Sequence, residues 1–146
     1  YNNNPVMNDL IPSTPDSVRR PSLPAGSYKH HILFCADQTN PKCASREMTH
    51  EVWEHLKTRL HQMGLAVGAE CVYRSKVDCL RVCTQGPIAV VYPEGIWYNS
   101  VTADVLDRIL QEHIVGGQPV EEYIFARNLL CSEGHSIGPT KQTSRY

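Results

Sequence analysis

Two cysteine pairs, Cys35-x7-Cys43 and Cys79-x3-Cys83, are separated by 35 residues, and each begins just after a run with strand character. The run HHILF at 30 to 34 has the length and apolar content of a buried strand and ends on Cys35. A second strand fits Ala69 to Val77, loosely alternating, and leads to Cys79. A site that uses both pairs therefore needs the C-terminal ends of these two strands to be neighbours.

The intervening pattern predicts how that comes about. Ser45 can cap a helix in which Met48, Val52, Leu56, Leu60 and Met63 follow a 3.6-residue period up to Gly64. Beyond Cys83, the segment IAVVY, the turn PEG and then IWYN predict a β-hairpin. Thr102 can cap a second helix through Val105, Leu106, Ile109 and Leu110, stopped by Gly116-Gly117. The order β, α, β, β, β, α makes a parallel pair by a crossover and adds an antiparallel hairpin. The expected fold is α/β (α+β): a thioredoxin-like mixed sheet of about four strands, covered by two main helices and flanked by irregular tails.

Five of the ten prolines fall in residues 1–27 among Asn, Ser and Asp, a composition that cannot offset its ordering entropy and predicts an extended or disordered tail. The domain is expected over 28–118, followed by a C-terminal arm, 119–146. Within that arm, PVEEYIFARNLL starts on Pro119 and has enough apolar residues to dock as a final helix or arm. No internal repeat is visible.

Charge narrows the partners by exclusion. With 14 Lys+Arg against 15 Asp+Glu, the net charge of -1 creates no field to gather nucleic acid or an anionic membrane. No apolar run reaches the roughly 18 to 20 residues needed to span a bilayer, so no membrane insertion is expected. The start, YNNNPVMNDLIPSTP, lacks a basic region and an apolar core, which predicts a non-secreted, cytoplasmic protein. In that setting six cysteines indicate metal or redox chemistry ahead of structural disulfides.

Soft thiolates match iron and sulfide, and Cys35, Cys43, Cys79 and Cys83 complete a [2Fe-2S] site with no ligand missing. Two alternatives stay open at this point. Structural zinc admits the spacing Cys79-x3-Cys83, although seven residues between Cys35 and Cys43 is wide for it. Cysteines scattered through a core are also common. A Rieske centre needs histidine ligands, and a dithiol oxidoreductase needs Cys-x-x-Cys. The seven histidines, His30, His31, His50, His55, His61, His113 and His135, form no metal template and are expected to be surface or satisfied groups. Neither a Gly-rich phosphate loop nor G-x-S-x-G is present.

The sequence ILFC at 32 to 35, the amphipathic helix and the stretch DCLRVCTQGPIAVVYPEGIWYNSVTADVLDRILQEHIVGGQPVEEYIF together resemble the thioredoxin-like [2Fe-2S] ferredoxins, over about residues 29 to 126. C-L-x-x-C-x-x-G-P, from Cys79 to Pro87, and the VVYPEGIWY hairpin carry most of the likeness. The resemblance implies a one-electron carrier, not an enzyme, with Cys35, Cys43, Cys79 and Cys83 as cluster ligands. It implies redox proteins as electron donor and acceptor, and a homodimer as one assembly. The long tails leave a second arrangement open, a fixed subunit or assembly partner of a larger redox complex. The Cys35 to Cys43 loop is shorter than in the small ferredoxins of this type, which implies less cover over the cluster.

Around the cysteines stand Lys42, Arg46, Arg74, Lys76 and Arg81 against Asp37, Asp78 and Glu70. Such cations would raise the potential of an anionic cluster and could steer an acidic partner, or form an ordinary solvated surface. Gly86-Pro87 is expected to support the loop, through close backbone approach and a fixed strand entry. Cys71 and Cys131 are expected to be structural or free. Trp53, Trp97 and Tyr98 are expected in the core or on its rim, with Trp97 or Tyr98 as the alternative shield over the site.

Overall fold

The computed structural model describes residues 28–68, 70–83 and 85–129. The expectations for residues 1–27 and for Cys131 and His135 lie outside the described residues. Strand β1 spans His30–Cys35, helix α1 Arg46–Gln62 and strand β2 Val72–Val77. The hairpin strands are β3, Ala89–Tyr92, and β4, Ile96–Tyr98. Helix α2, Ala103–Arg108, continues as a wider π-helical segment, Ile109–Val115, and a single 3-10 turn, Glu121–Tyr123, leads to β5, Ile124–Arg127.

Both helix starts are closed by the side chains that the pattern singled out. The Ser45 hydroxyl accepts the Met48 N–H at 3.2 Å, and the Thr102 hydroxyl accepts that of Val105 at 3.4 Å. Val52, Leu56 and Leu60 bury the inner face of α1. Met48, expected on that face, is exposed at the rim, and Thr49 is buried in its place.

The sheet order is β2-β1-β3-β4-β5, with β1 and β2 parallel and every other neighbouring pair antiparallel. It has five strands where the pattern predicted about four. The additional strand comes from PVEEYIFARNLL, whose apolar run pairs along β4 instead of forming a helix. Gly95 makes this possible: it holds φ at 63°, and a β-carbon there would collide with the Asn128 carbonyl. The Gly95 carbonyl also accepts the Asn128 N–H at 2.7 Å.

Ile32, Phe34, Val91, Ile96 and Tyr98 join Val52, Leu56, Leu60, Leu106 and Leu110 in one core, so both helices cover the same face of the sheet. Trp53 stacks on Phe34 with 6.5 Å between ring centroids. His31, Leu33, Val90 and Trp97 alternate with the core-facing residues and point to the opposite face. Among the described residues no helix covers that face.

Candidate metal centre

Parallel pairing brings the cysteine pairs together. Cys35 ends β1 directly opposite Val77, the last residue of β2, so the loops carrying Cys43 and Cys79 leave the same sheet edge side by side. The loops are tied to each other: Ala36 N–H donates to the Val77 carbonyl at 3.0 Å, and Thr39 N–H to the Asp78 carboxylate at 3.2 Å. Because β3 runs antiparallel to β1, the Cys83 loop returns to that edge, where Cys35 N–H donates to the Ile88 carbonyl at 3.1 Å.

Each first cysteine is followed two residues on by a left-handed turn residue, Asp37 at φ 56° and Arg81 at φ 59°. The turn curls the chain back over its own sulfur. The Arg81 N–H donates to Cys79 Sγ at 3.2 Å, and the buried Gln38 side chain donates Nε2–H to Cys35 Sγ at 2.9 Å. Donors of this kind stabilise a ligating thiolate. Asp37 is fixed in turn by Lys76, Arg46 and His50 around its carboxylate, while its N–H donates to Thr49 Oγ1 at 3.4 Å. The Lys76 hydrogen bond holds that carboxyl below its ordinary value.

Gly86 closes the site from below. A β-carbon there would stand 2.8 Å from Cys43 Cβ and 2.9 Å from its Sγ, so the backbone approach expected of Gly86-Pro87 is used to seat a cysteine. A cavity of about 390 Å³ opens at the sheet edge, lined by Cys43, Cys79 and Cys83 together with Gln38, Lys42 and Arg81. Cys35 lies beneath, buried.

The thiols sense one another. Burial, then the adjacent Cys35, pushes the Cys43 thiol up, with Cys79 adding to the rise. Partial desolvation, then a hydrogen bond with Cys79, does the same for Cys83, with Cys43 contributing. With Cys43, Cys79 and Cys83 around one cavity and Cys35 buried beneath it, four soft donors gather as a set that fits a cluster of two irons.

Other candidates fall away from this edge. Cys71 is 2% exposed in the core, as expected of a structural cysteine. Neither Trp97 nor Tyr98 lines the cavity: Trp97 packs on Phe125, and Tyr98 turns into the core to hydrogen-bond His113 Nδ1 at 2.8 Å. His113 is itself buried, and its Nε2 has no hydrogen-bond partner among the described residues. Gln38 is the site residue that spacing alone overlooks. Its only signal in the sequence is a turn-prone Asp between a strand-ending cysteine and itself.

No family model matches the chain. A 2Fe-2S ferredoxin of Aquifex aeolicus (strain VF5) is 41% identical over 105 residues, covering 66% of this chain and 89% of the relative. The 2Fe-2S ferredoxin of Clostridium pasteurianum is 36% identical over 98 residues, covering 64% of this chain and 92% of its own length. Among solved structures, a thioredoxin-like [2Fe-2S] ferredoxin from Aquifex aeolicus superposes with a TM-score of 0.55 at 27% identity, covering 67% of this chain and 91% of that one. The shared sheet edge, the paired thiols and these likenesses lead to one conclusion: the chain belongs to the thioredoxin-like [2Fe-2S] ferredoxin family.

Proposed function

We propose that Cys35, Cys43, Cys79 and Cys83 are the ligands of the [2Fe-2S] cluster through which this protein works as a one-electron carrier and not as an enzyme. The carrying observation is the meeting of two thiol pairs at one sheet edge in a chain up to 41% identical to 2Fe-2S ferredoxins. When bound, the cluster supplies the one-electron couple. The chain's own part is to fix the sulfurs: β1 and β2 set their spacing, Gly86 seats Cys43, and Gln38 Nε2–H and Arg81 N–H donate to Cys35 and Cys79. Cys79 and Cys83 are exposed, which gives an electron a short path to a docked partner.

The domain runs over 28–118, with 1–27 and 119–146 flanking it, and of the latter segment Ile124–Arg127 pairs along β4. Its donor and acceptor are redox proteins. Lys42 and Arg81, at the cavity rim and without ion pairs among the described residues, favour acidic docking faces. A homodimer is supported by the sheet face that carries Leu33, Trp97 and the exposed Phe125 without a covering helix among the described residues. No helix among the described residues is long and apolar enough to cross a membrane. A cytoplasmic setting, whose reducing poise preserves free thiols for iron, suits the five free cysteines described.

Iron and acid-labile sulfide analysis with EPR tests the assignment. Two irons and two sulfides per chain are expected, with an S = 1/2 signal on dithionite reduction, as for any [2Fe-2S] centre. Loss or alteration of that signal is expected in Cys35→Ser, Cys43→Ser, Cys79→Ser and Cys83→Ser but not in Cys71→Ser. A cluster untouched in any of the four sinks that ligand, and zinc without iron sinks the function.

A further inference from the structure

We infer that Gln38 sets the reduction potential of this centre by donating its side-chain N–H to Cys35 Sγ. The inference rests on Cys35 being a ligand, as proposed above.

Gln38 is 3% exposed, and its Nε2 lies 2.9 Å from Cys35 Sγ, which makes this a buried contact. The direction of the amide is fixed by chemistry. A ligating thiolate only accepts, so the nitrogen and not the oxygen must face it. The Oε1 atom is buried with no partner among the described residues, a cost that a filler side chain would not carry. A leucine or methionine would serve packing alone.

The surroundings hold this amide still. Asp37, immediately before it, adopts a left-handed conformation at φ 56° that folds Gln38 back onto a residue three positions earlier. That turn is locked from two elements: Lys76 of β2 and Arg46 and His50 of α1 around the Asp37 carboxylate, and Thr49 Oγ1 of α1 accepting its N–H. Gln38 is therefore a positioning residue that acts through Cys35.

With a cluster bound, an added electron would increase the negative charge on the ligating sulfurs, Cys35 Sγ among them. A fixed N–H aimed at Cys35 Sγ gains more from the more negative state, so it favours reduction. Backbone N–H donors, such as that of Arg81 to Cys79, belong to the main chain, whereas this donor can be removed by one substitution.

The test uses the full chain holding its cluster, with Gln38→Met, which keeps length and removes the donor, and Gln38→Asn, which keeps the amide but falls short of the sulfur. Potentials are read by dithionite titration followed optically, and Fe–S(Cys) stretching frequencies by resonance Raman. In both variants the midpoint is expected to move to more negative values. At a fixed ambient potential the reduced-to-oxidised ratio falls about threefold, a fraction of a charge-assisted hydrogen bond. The Fe–S(Cys) frequencies are expected to rise as the sulfur loses its donor. An unchanged potential with the cluster intact in either variant overturns the role of Gln38 and leaves the cluster assignment standing. Failure of both variants to hold a cluster, with the fold retained by circular dichroism, makes Gln38 a structural support and also overturns it. Absence of a cluster from the unaltered chain overturns the ligand assignment itself.

Discussion

A single missing β-carbon decides whether Cys43 can sit where it does. Any side chain at position 86 would press within 2.8 Å of Cys43 Cβ and 2.9 Å of its sulfur, and the Cys43 loop would have to retreat. Gly86→Ala should therefore leave the fold intact and loosen the cluster, with iron released to a chelator about tenfold faster, the scale of losses when a ligand's support is removed. Chelator challenge followed at the visible absorption bands measures it. Release at the rate of the unaltered chain would show that Cys43 does not depend on this contact. The meeting of the two cysteine pairs at one end of the sheet was legible in the sequence because each pair begins just after a strand. Gln38 was not, since its reach back to Cys35 depends on the φ of Asp37, which no periodicity announces.

At the scale of elements, caps and stripes were readable where local chemistry decides them, as at Ser45 and Thr102. The fifth strand was not, because the pairing of Ile124–Arg127 is decided by distant residues: β4 and the Gly95 turn. The burial of His113 was hidden for the same reason. It lies among Tyr98, Glu94, His30 and Arg127, and burial lowers its proton affinity more than Glu94 raises it. Tyr98 Oη accepts the Val120 N–H at 3.3 Å and is hydrogen-bonded to His113 Nδ1 at 2.8 Å, joining β4 to the segment before β5. Tyr98→Phe leaves both partners unsatisfied and should cost about 1–3 kcal/mol in urea unfolding. The lowered affinities of His113 and of His31 act in the same sense: the unfolded chain binds these protons near the ordinary value of 6.5, while the folded chain resists. Stability should hold above about pH 7 and decline as pH falls through the histidine range. A shallower decline is expected in His113→Gln, measured at pH 7.5 and about 5.5. An identical pH profile in that variant would remove His113 from the explanation.

For the whole molecule, a near-neutral net charge of -1 conceals an uneven surface, with Lys42 and Arg81 at the cavity rim. Reversing both, Lys42→Glu with Arg81→Glu, should slow oxidation of the reduced protein by ferricyanide about tenfold at low ionic strength, and the difference should shrink in high salt. Stopped-flow rates that ignore the reversal would show that the rim does not steer anions. The opposite surface question concerns the sheet. Both helices lie on one side, and the other side offers Leu33, Trp97 and the exposed Phe125, with Trp97 meeting Phe125 edge to face at 6.3 Å. An antiparallel sheet face left to water normally alternates to polar residues. This one does not at its centre, and a second copy of the same face would bury it with two-fold symmetry. The full chain should then sediment as a dimer, and Trp97→Glu, remote from the cysteine cavity, as a monomer that keeps its visible spectrum. A Trp97→Glu protein that still sediments as a dimer would move the interface elsewhere, and a monomeric unaltered chain would end the dimer.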